Sequence, residues 1–211
     1  MVNRSDVRRT YQEIAHHFAE TRAYPWPEVE SFCEGRHVDT ALDVGCGNGR
    51  HVELLVDHAD FVIGIDASSR LCTLARGRVP TAGYVVGDAS NLPLADHRVS
   101  LALYVATIHH LPSRELRIRS LDELARVLDS AGTGLVSSWS TAHDRFEVDT
   151  DAETGFDTTI DWTLPDGETV PRYYHIYSPS EFDSDLAASD LEVVSSRISS
   201  GNCYAVVEGT E

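Results

Sequence analysis

Ala41-Leu42-Asp43-Val44-Gly45-Cys46-Gly47-Asn48-Gly49 decides the fold of this 211-residue chain. A short apolar run carries an acid near its end, and glycines follow at alternate positions. A strand that runs into such a turn lets backbone approach a ligand closely, because no Cβ intervenes. The dinucleotide fingerprint spaces its glycines GxGxxG. Here the third glycine arrives one position early, at Gly49, and Arg50 stands where the fingerprint wants glycine. That spacing argues for a ligand with no pyrophosphate to seat.

Strand and helix alternate outward from this turn. Strands are expected at Ala41–Val44, Phe61–Ile65, Gly83–Val86, Val99–Val105 and Gly134–Ser138, with helices at Arg50–Asp57, Ser69–Arg76 and Ser113–Leu128 between them. This rhythm implies a parallel sheet covered by helices on both faces. Ahead of it, Val7, Tyr11, Ile14 and Phe18 fall on one face of a helix over Asp6–Ala19, and Pro27 opens a second short helix. Thr141–Val170 breaks the rhythm: it is polar and acidic, and reads as a lid or a disordered loop. A short helix over Ser180–Leu186 and an antiparallel hairpin of Leu191–Arg197 with Cys203–Val207 close the chain. One domain is expected: residues 1–39 as helices over the ligand, 40–140 as the binding core, 141–177 as a substrate-side insert and 178–211 as the terminal helix and strands.

Two further acids name the ligand. Asp66 ends the second apolar run, where it can accept both hydroxyls of a ribose. Asp88 ends the third, where it can accept from an adenine amino group, with the Ala89 backbone N–H for the ring. Asp43 is placed to meet an ammonium. A ribose, an adenine and an amino-acid end without phosphate describe S-adenosylmethionine (SAM). The candidate cofactor set is Asp43, Gly45, Gly47, Asn48, Asp66, Ala67, Asp88, Ala89 and Tyr104. The fold expected with it is the Rossmann-like class I SAM-dependent methyltransferase: α/β, with a mostly parallel seven-stranded sheet and a C-terminal antiparallel hairpin.

Composition bounds the setting. Acids outnumber basic residues 34 to 17, for a net charge of -17, and every basic residue is Arg. Dense carboxylates without lysine fit a high-salt cytoplasm, where a Debye length of about 3 Å screens like charges. In ordinary salt the same charge would argue against a nucleic-acid partner, so local Arg clusters carry the information instead. No apolar window approaches a membrane span and the N-terminus lacks a signal-peptide core, so no membrane partner and a cytoplasmic location are expected. Cys33, Cys46, Cys72 and Cys203 lack CxxC spacing, and no metal site is expected.

Methyl transfer from a sulfonium needs alignment and dryness more than acid–base chemistry. The fourth strand runs into Tyr104-Val105-Ala106-Thr107-Ile108-His109-His110, and its end faces the methyl group in this fold. An Asn-Pro-Pro-Tyr motif for amino-nitrogen methylation is absent there, as is a Pro-Cys pair for attack on a pyrimidine, which leaves oxygen as the acceptor. One of His109 and His110 can orient it. Arg172-Tyr173-Tyr174-His175 offers a fork for a carboxylate and rings for a base, or else an amphipathic strand with core tyrosines.

These residues together resemble a family. Tyr11-Gln12-Glu13-Ile14-Ala15-His16-His17-Phe18, Thr21-Arg22 with Pro25-Trp26-Pro27, Asp43 to Asn48, His109-His110, Arg114, Arg172-Tyr173-Tyr174-His175 and Gly201-Asn202 are similar to the tRNA wobble-uridine carboxymethyl methyltransferases, which esterify 5-carboxymethyluridine. The resemblance implies that His109 and Arg172 hold the carboxymethyl group. It also implies that Arg22, Trp26, His110, Arg114, Tyr173, Tyr174, His175 and Asn202 serve the substrate, and that tRNA is a partner. A small zinc-binding activator protein is expected on the sheet edge near Gly83–Val86. The acidic Thr141–Val170 and the Cys203-Tyr204 pair depart from the family pattern. A small-molecule O-methyltransferase and a non-catalytic SAM-binding RNA module are the competing readings.

Overall fold

The computed structural model describes residues 2–146 and 153–210. Residues 147–152, inside the stretch expected as a lid, lie outside the described residues. In chain order the elements are α1 (Arg4–Glu20), α2 (Pro27–Cys33), β1 (Val38–Val44), α3 (Arg50–Leu55), β2 (Ala59–Asp66), α4 (Ser69–Arg78), β3 (Gly83–Val86), β4 (Val99–Val105), α5 (Arg114–Val127), β5 (Leu128–Trp139), β6 (Phe156–Thr163), β7 (Thr169–Ile176), α6 (Pro179–Ala187), β8 (Glu192–Ser199) and β9 (Asn202–Glu208). A single 3-10 turn, Ile108–His110, follows β4.

Seven strands form one sheet in the order β3-β2-β1-β4-β5-β9-β8. The first five run parallel, and β9 alone is reversed, pairing antiparallel with both β5 and β8. The central strand β4 is almost wholly buried, as a strand covered on both faces must be. Its side chains divide between two cores. Ala102 and Tyr104 pack with Leu121 and Leu124 of α5 and Phe182 of α6. Leu101, Leu103 and Val105 pack with Val29 and Phe32 of α2 and Val52 of α3.

The expected strands and helices appear at their places, with one correction. Part of Thr141–Val170 is ordered: β6 pairs antiparallel with β7 in a separate two-stranded sheet. Phe156, Thr158, Ile160 and Trp162 alternate with polar residues, a half-buried strand whose threonines and aspartates make it resemble a loop. Helix α1 starts at Arg4 on a capping box of Asn3 and Asp6. It lies against α4 on one side and β7 on the other. Among the described residues no helix is long and apolar enough to cross a membrane.

Candidate active site

A cavity of about 510 Å³ opens at the carboxyl ends of the parallel strands, beneath α1. This is where an open α/β sheet places its ligand. Its floor is the glycine turn. Gly45, Gly47 and Gly49 all have positive φ, and a Cβ at Gly45 would collide with the Thr107 side chain. The turn therefore needs glycine both for its backbone angles and for the close approach of the loop after β4. Gly47 N–H donates to Asp66 Oδ2 (2.9 Å) and Ser68 N–H to Oδ1 (2.7 Å). Each carboxylate oxygen keeps a lone pair for a hydroxyl. Burial pushes the Asp66 carboxyl up to about 6, against the two backbone donors that lower it.

Ala67, Asp88 and Ala89 line the same cavity. Asp88 is already engaged: Oδ2 meets Arg4 Nη1 at 2.6 Å, and Oδ1 accepts from the Ser90 backbone (2.9 Å) and hydroxyl (2.8 Å). An adenine amino group would share that carboxylate with Arg4. Asp43 sits beneath the turn, 1% exposed and outside the cavity lining, with Oδ2 unpartnered. Burial pushes it up to about 7, opposed by Arg50 and aided by Asp66. The positive-φ cradle, the spare acceptors of Asp66 and the orphan oxygen of Asp43 fit the neutral ribose and the ammonium of the amino-acid end of SAM.

The N-terminal cover is fastened to this floor. Asn48 donates its side-chain amide to the carbonyls of Ala19 (3.0 Å) and Arg22 (2.8 Å). The Gln12 side-chain carbonyl accepts from the Ser68 hydroxyl (2.5 Å) and the Arg70 backbone (2.8 Å). Arg22 and Trp26 both line the cavity. Arg50 lies over the Trp26 ring at 5.0 Å, and burial together with Arg22 pushes its guanidinium down to about 10.

On the far side stand His109, His110, Trp139, Arg172 and Tyr174. Ala106, at the mouth, holds a positive φ of 53°, a strained conformation kept by bonds to the Ser137 carbonyl (3.1 Å) and hydroxyl (3.2 Å). The two histidines are not equivalent. His110 donates Nδ1–H to the Tyr173 carbonyl (3.0 Å) and accepts at Nε2 from the Tyr11 hydroxyl (2.8 Å), so both its nitrogens are spent on structure. His109 accepts at Nδ1 from the Trp139 backbone N–H (3.1 Å), which puts its proton on Nε2. Burial, helped by His110 and Arg172, holds His109 well below the usual imidazole range, so it is a neutral donor. His110 is pushed down to about 3, chiefly by burial.

Arg172 is 6% exposed and has no ion-pair partner among the described residues. Its guanidinium lies over Trp162 (4.7 Å) and Tyr174 (5.1 Å), and Nε is buried without a hydrogen bond. Tyr174 stacks on Trp139 with centroids 5.0 Å apart. A buried cation with free donors beside a neutral N–H is a receptor for an anion.

Several expected site residues stand elsewhere. β7 sends alternate side chains to opposite faces, so Arg172 and Tyr174 reach the cavity while Tyr173 and His175 do not. Tyr173 donates to Asp157 Oδ1 (2.8 Å), and His175 bridges Asp157 (2.8 Å) and Glu181 (3.0 Å). Arg114 pairs with buried Asp185 (2.6 Å) on the α5–α6 seam, outside the cavity lining. Tyr104 is fully buried on the α5 face and donates to Ser120 (2.8 Å), while its neighbour Val105 lines the cavity. Asn202, at the start of β9, gives its amide to the Ser200 carbonyl (3.1 Å) and also lies outside the lining. Tyr11, Thr107 and Trp139 line the cavity without having been singled out as site residues. Its place as an aromatic at the carboxyl end of β5 could have found Trp139.

The strand order, the glycine turn and the acids ending β2 and β3 define a class I SAM-dependent methyltransferase fold. Comparison with known proteins agrees. The methyltransferase domain family matches residues 42–136. A protein of Encephalitozoon cuniculi described as a methyltransferase is 31% identical, over 96% of this chain and 94% of its own length. The tRNA (carboxymethyluridine(34)-5-O)-methyltransferase of Saccharomyces cerevisiae is 32% identical over 79% of this chain, which spans 59% of that relative. Among solved structures, a complex between the Haloferax volcanii Trm112 methyltransferase activator and a methyltransferase matches with a TM-score of 0.70 at 16% identity, covering 97% of this chain and 98% of that one. The chain belongs to the SAM-dependent methyltransferases, and SAM is the cofactor of that fold.

Proposed function

We propose that the protein transfers the methyl group of SAM to the carboxylate of 5-carboxymethyluridine at the tRNA wobble position, giving a methyl ester. The observation that carries this reading is Arg172: a buried guanidinium with unspent donors, beside the neutral Nε2–H of His109, in the cavity that holds the glycine turn. The yeast relative, a tRNA (carboxymethyluridine(34)-5-O)-methyltransferase, supports it, although the chain spans only part of that protein.

Bound SAM supplies an electrophilic methyl on sulfur. Asp66 would accept the ribose hydroxyls, Asp88 and Ala89 would take the adenine, and Asp43 would offset the charge of the amino-acid end. A carboxylate acceptor is ionised at neutral pH, so no residue need remove a proton. Arg172 and His109 would fix one oxygen each and leave a lone pair facing the methyl. Arg22, Trp26 and α1 would exclude water, and Tyr174 offers a ring for an extruded base. We place the protein in the cytoplasm, as one methyltransferase unit under an N-terminal cover.

A small zinc-binding activator is the proposed partner. β3 is a sheet edge, with Val85, Val86 and, on β2, Phe61 exposed. An unpaired apolar edge is a template for strand addition. The activator complex among the solved structures of this fold supports the reading.

The test is labelled-methyl transfer to an anticodon stem-loop carrying 5-carboxymethyluridine or plain uridine, with the activator present. Transfer to the carboxymethyl RNA alone, with label released by mild alkali as an ester requires, is expected. Equal transfer to plain uridine, or transfer only to a free small acid, would overturn the reading.

A further inference from the structure

Trp162 stands behind the cavity wall, not in it, yet it touches both arginines of the acceptor side. The guanidinium of Arg172 lies 4.7 Å from its ring centroid and that of Arg22 lies 5.4 Å away. The ring is itself held: its indole N–H donates to His17 Nδ1 (3.1 Å), and the Phe18 ring lies 5.7 Å off. His17, Phe18 and Arg22 belong to the N-terminal cover, whereas Trp162 and Arg172 belong to the β6–β7 hairpin. One indole thus joins the two halves of the acceptor pocket.

Burying a guanidinium needs compensation. A carboxylate neighbour would supply it, but would also occupy the N–H fork that a substrate needs. An aromatic face attracts the cation through its quadrupole and leaves every N–H donor unused. Arg22 and Arg172, both on the cavity wall, have no ion-pair partner among the described residues, and the Nε of Arg172 has no acceptor. Tyr174 also faces Arg172, Phe18 also faces Arg22, and Arg22 Nη1 donates to the Thr21 carbonyl, so Trp162 is the one ring that both cations share and that leaves the Arg172 fork available.

We propose that Trp162 is a positioning residue that makes the acceptor pocket selective for a carboxylate over a neutral group of the same shape. This rests on the carboxylate reading of the site given above. Removing the ring frees Arg172 to seek water or an acidic side chain, and the pocket loses its preference for negative charge while the SAM floor is untouched.

The experiment measures binding of two stem-loops, carrying 5-carboxymethyluridine or 5-carbamoylmethyluridine, in the presence of S-adenosylhomocysteine. The carboxylate is expected to bind the native protein at least about tenfold more tightly than the amide, as a charge-assisted fork requires. Trp162→Leu, which keeps apolar bulk and removes the quadrupole, should shrink that preference to about threefold or less, and Trp162→Ala the same. Trp162→Phe should restore most of it, and affinity for S-adenosylhomocysteine should stay within about twofold throughout. Native preference retained in the Leu variant overturns the proposal for Trp162 and leaves the carboxylate reading standing. A native protein that binds both RNAs equally overturns the carboxylate reading itself.

Discussion

As the proposed partner of the ribose, Asp66 can accept from both hydroxyls only while ionised, and burial raises its pKa to about 6. The ionised fraction falls as pH drops through that value, and Asp43, pushed up to about 7 by burial, loses its charge first, so cofactor affinity should weaken progressively from pH 8 to 5. Calorimetric titration of S-adenosylhomocysteine from pH 8 to 5 checks this. Asp66→Asn should bind poorly at every pH. His109 gives the opposite expectation. Its burial keeps it neutral across the working range, so turnover at saturating cofactor should show no imidazole step between about pH 6.5 and 8.5. His109→Ala should lower turnover roughly 10²-fold, the loss expected for one preorganised donor, with cofactor affinity unchanged. At this scale the sequence marked the glycines and the three acids, because their chemistry is tied to strand ends. It did not separate His109 from His110, because the distinction rests on donors from remote elements, the Trp139 backbone N–H and the Tyr11 hydroxyl. It also assigned Arg114 to the substrate, where the partner across the seam, 71 residues away, could not be seen. Arg114→Ala should lower the melting temperature, because buried Asp185 loses its shorter ion pair and keeps only Arg117 at 3.6 Å and the Tyr177 hydroxyl, and should leave cofactor binding intact.

Among elements, α1 is a cover held by a few polar contacts rather than a core helix. Only Ile14 and Ala15 of its seventeen residues are buried, and Asn48 secures its far end through two carbonyls. Asn48→Ala removes two hydrogen bonds, about 1–2 kcal/mol, and should weaken cofactor binding about tenfold by loosening the cover. A titration of the variant beside the native protein reads this directly, and unchanged affinity would mean the cover closes without that anchor. The apolar spacing of α1 was legible, since Val7, Tyr11, Ile14 and Phe18 mark one face. β6 was not: two of its four inward residues are Thr158 and Trp162, and a threonine does not distinguish a strand face from a loop. Alternation in Phe156-Asp157-Thr158-Thr159-Ile160-Asp161-Trp162 becomes evident only when β7 supplies the partner.

For the whole molecule, the charge of -17 and the two sheet edges set behaviour in solution. Like-charge repulsion at this density is screened as salt rises, so the melting temperature should climb between 0.1 and about 2 M KCl, a scanning-fluorimetry measurement. A fall over that range would remove the high-salt expectation drawn from the missing lysines. Val86→Asp at the β3 edge should abolish co-purification with the proposed activator while leaving the isolated chain's melting temperature nearly unchanged, because Val86 is 54% exposed. The α/β alternation placed the parallel sheet and its covering helices, while the edge at Gly83–Val86 followed from the usual strand order of the expected fold. The acceptor pocket was legible only through resemblance, because it is assembled from α1, the loop after β4 and a hairpin lacking the sheet's periodic signal.

The tetrapeptide Arg172-Tyr173-Tyr174-His175 carries a practical consequence. Its first and third residues line the cavity, and its second and fourth are tied to Asp157 and Glu181. Recognition and anchorage are thus interleaved at single-residue spacing yet physically separate. A protein engineer seeking a new acceptor could randomise positions 172 and 174 alone, and the scaffold would hold the altered pair at the same depth.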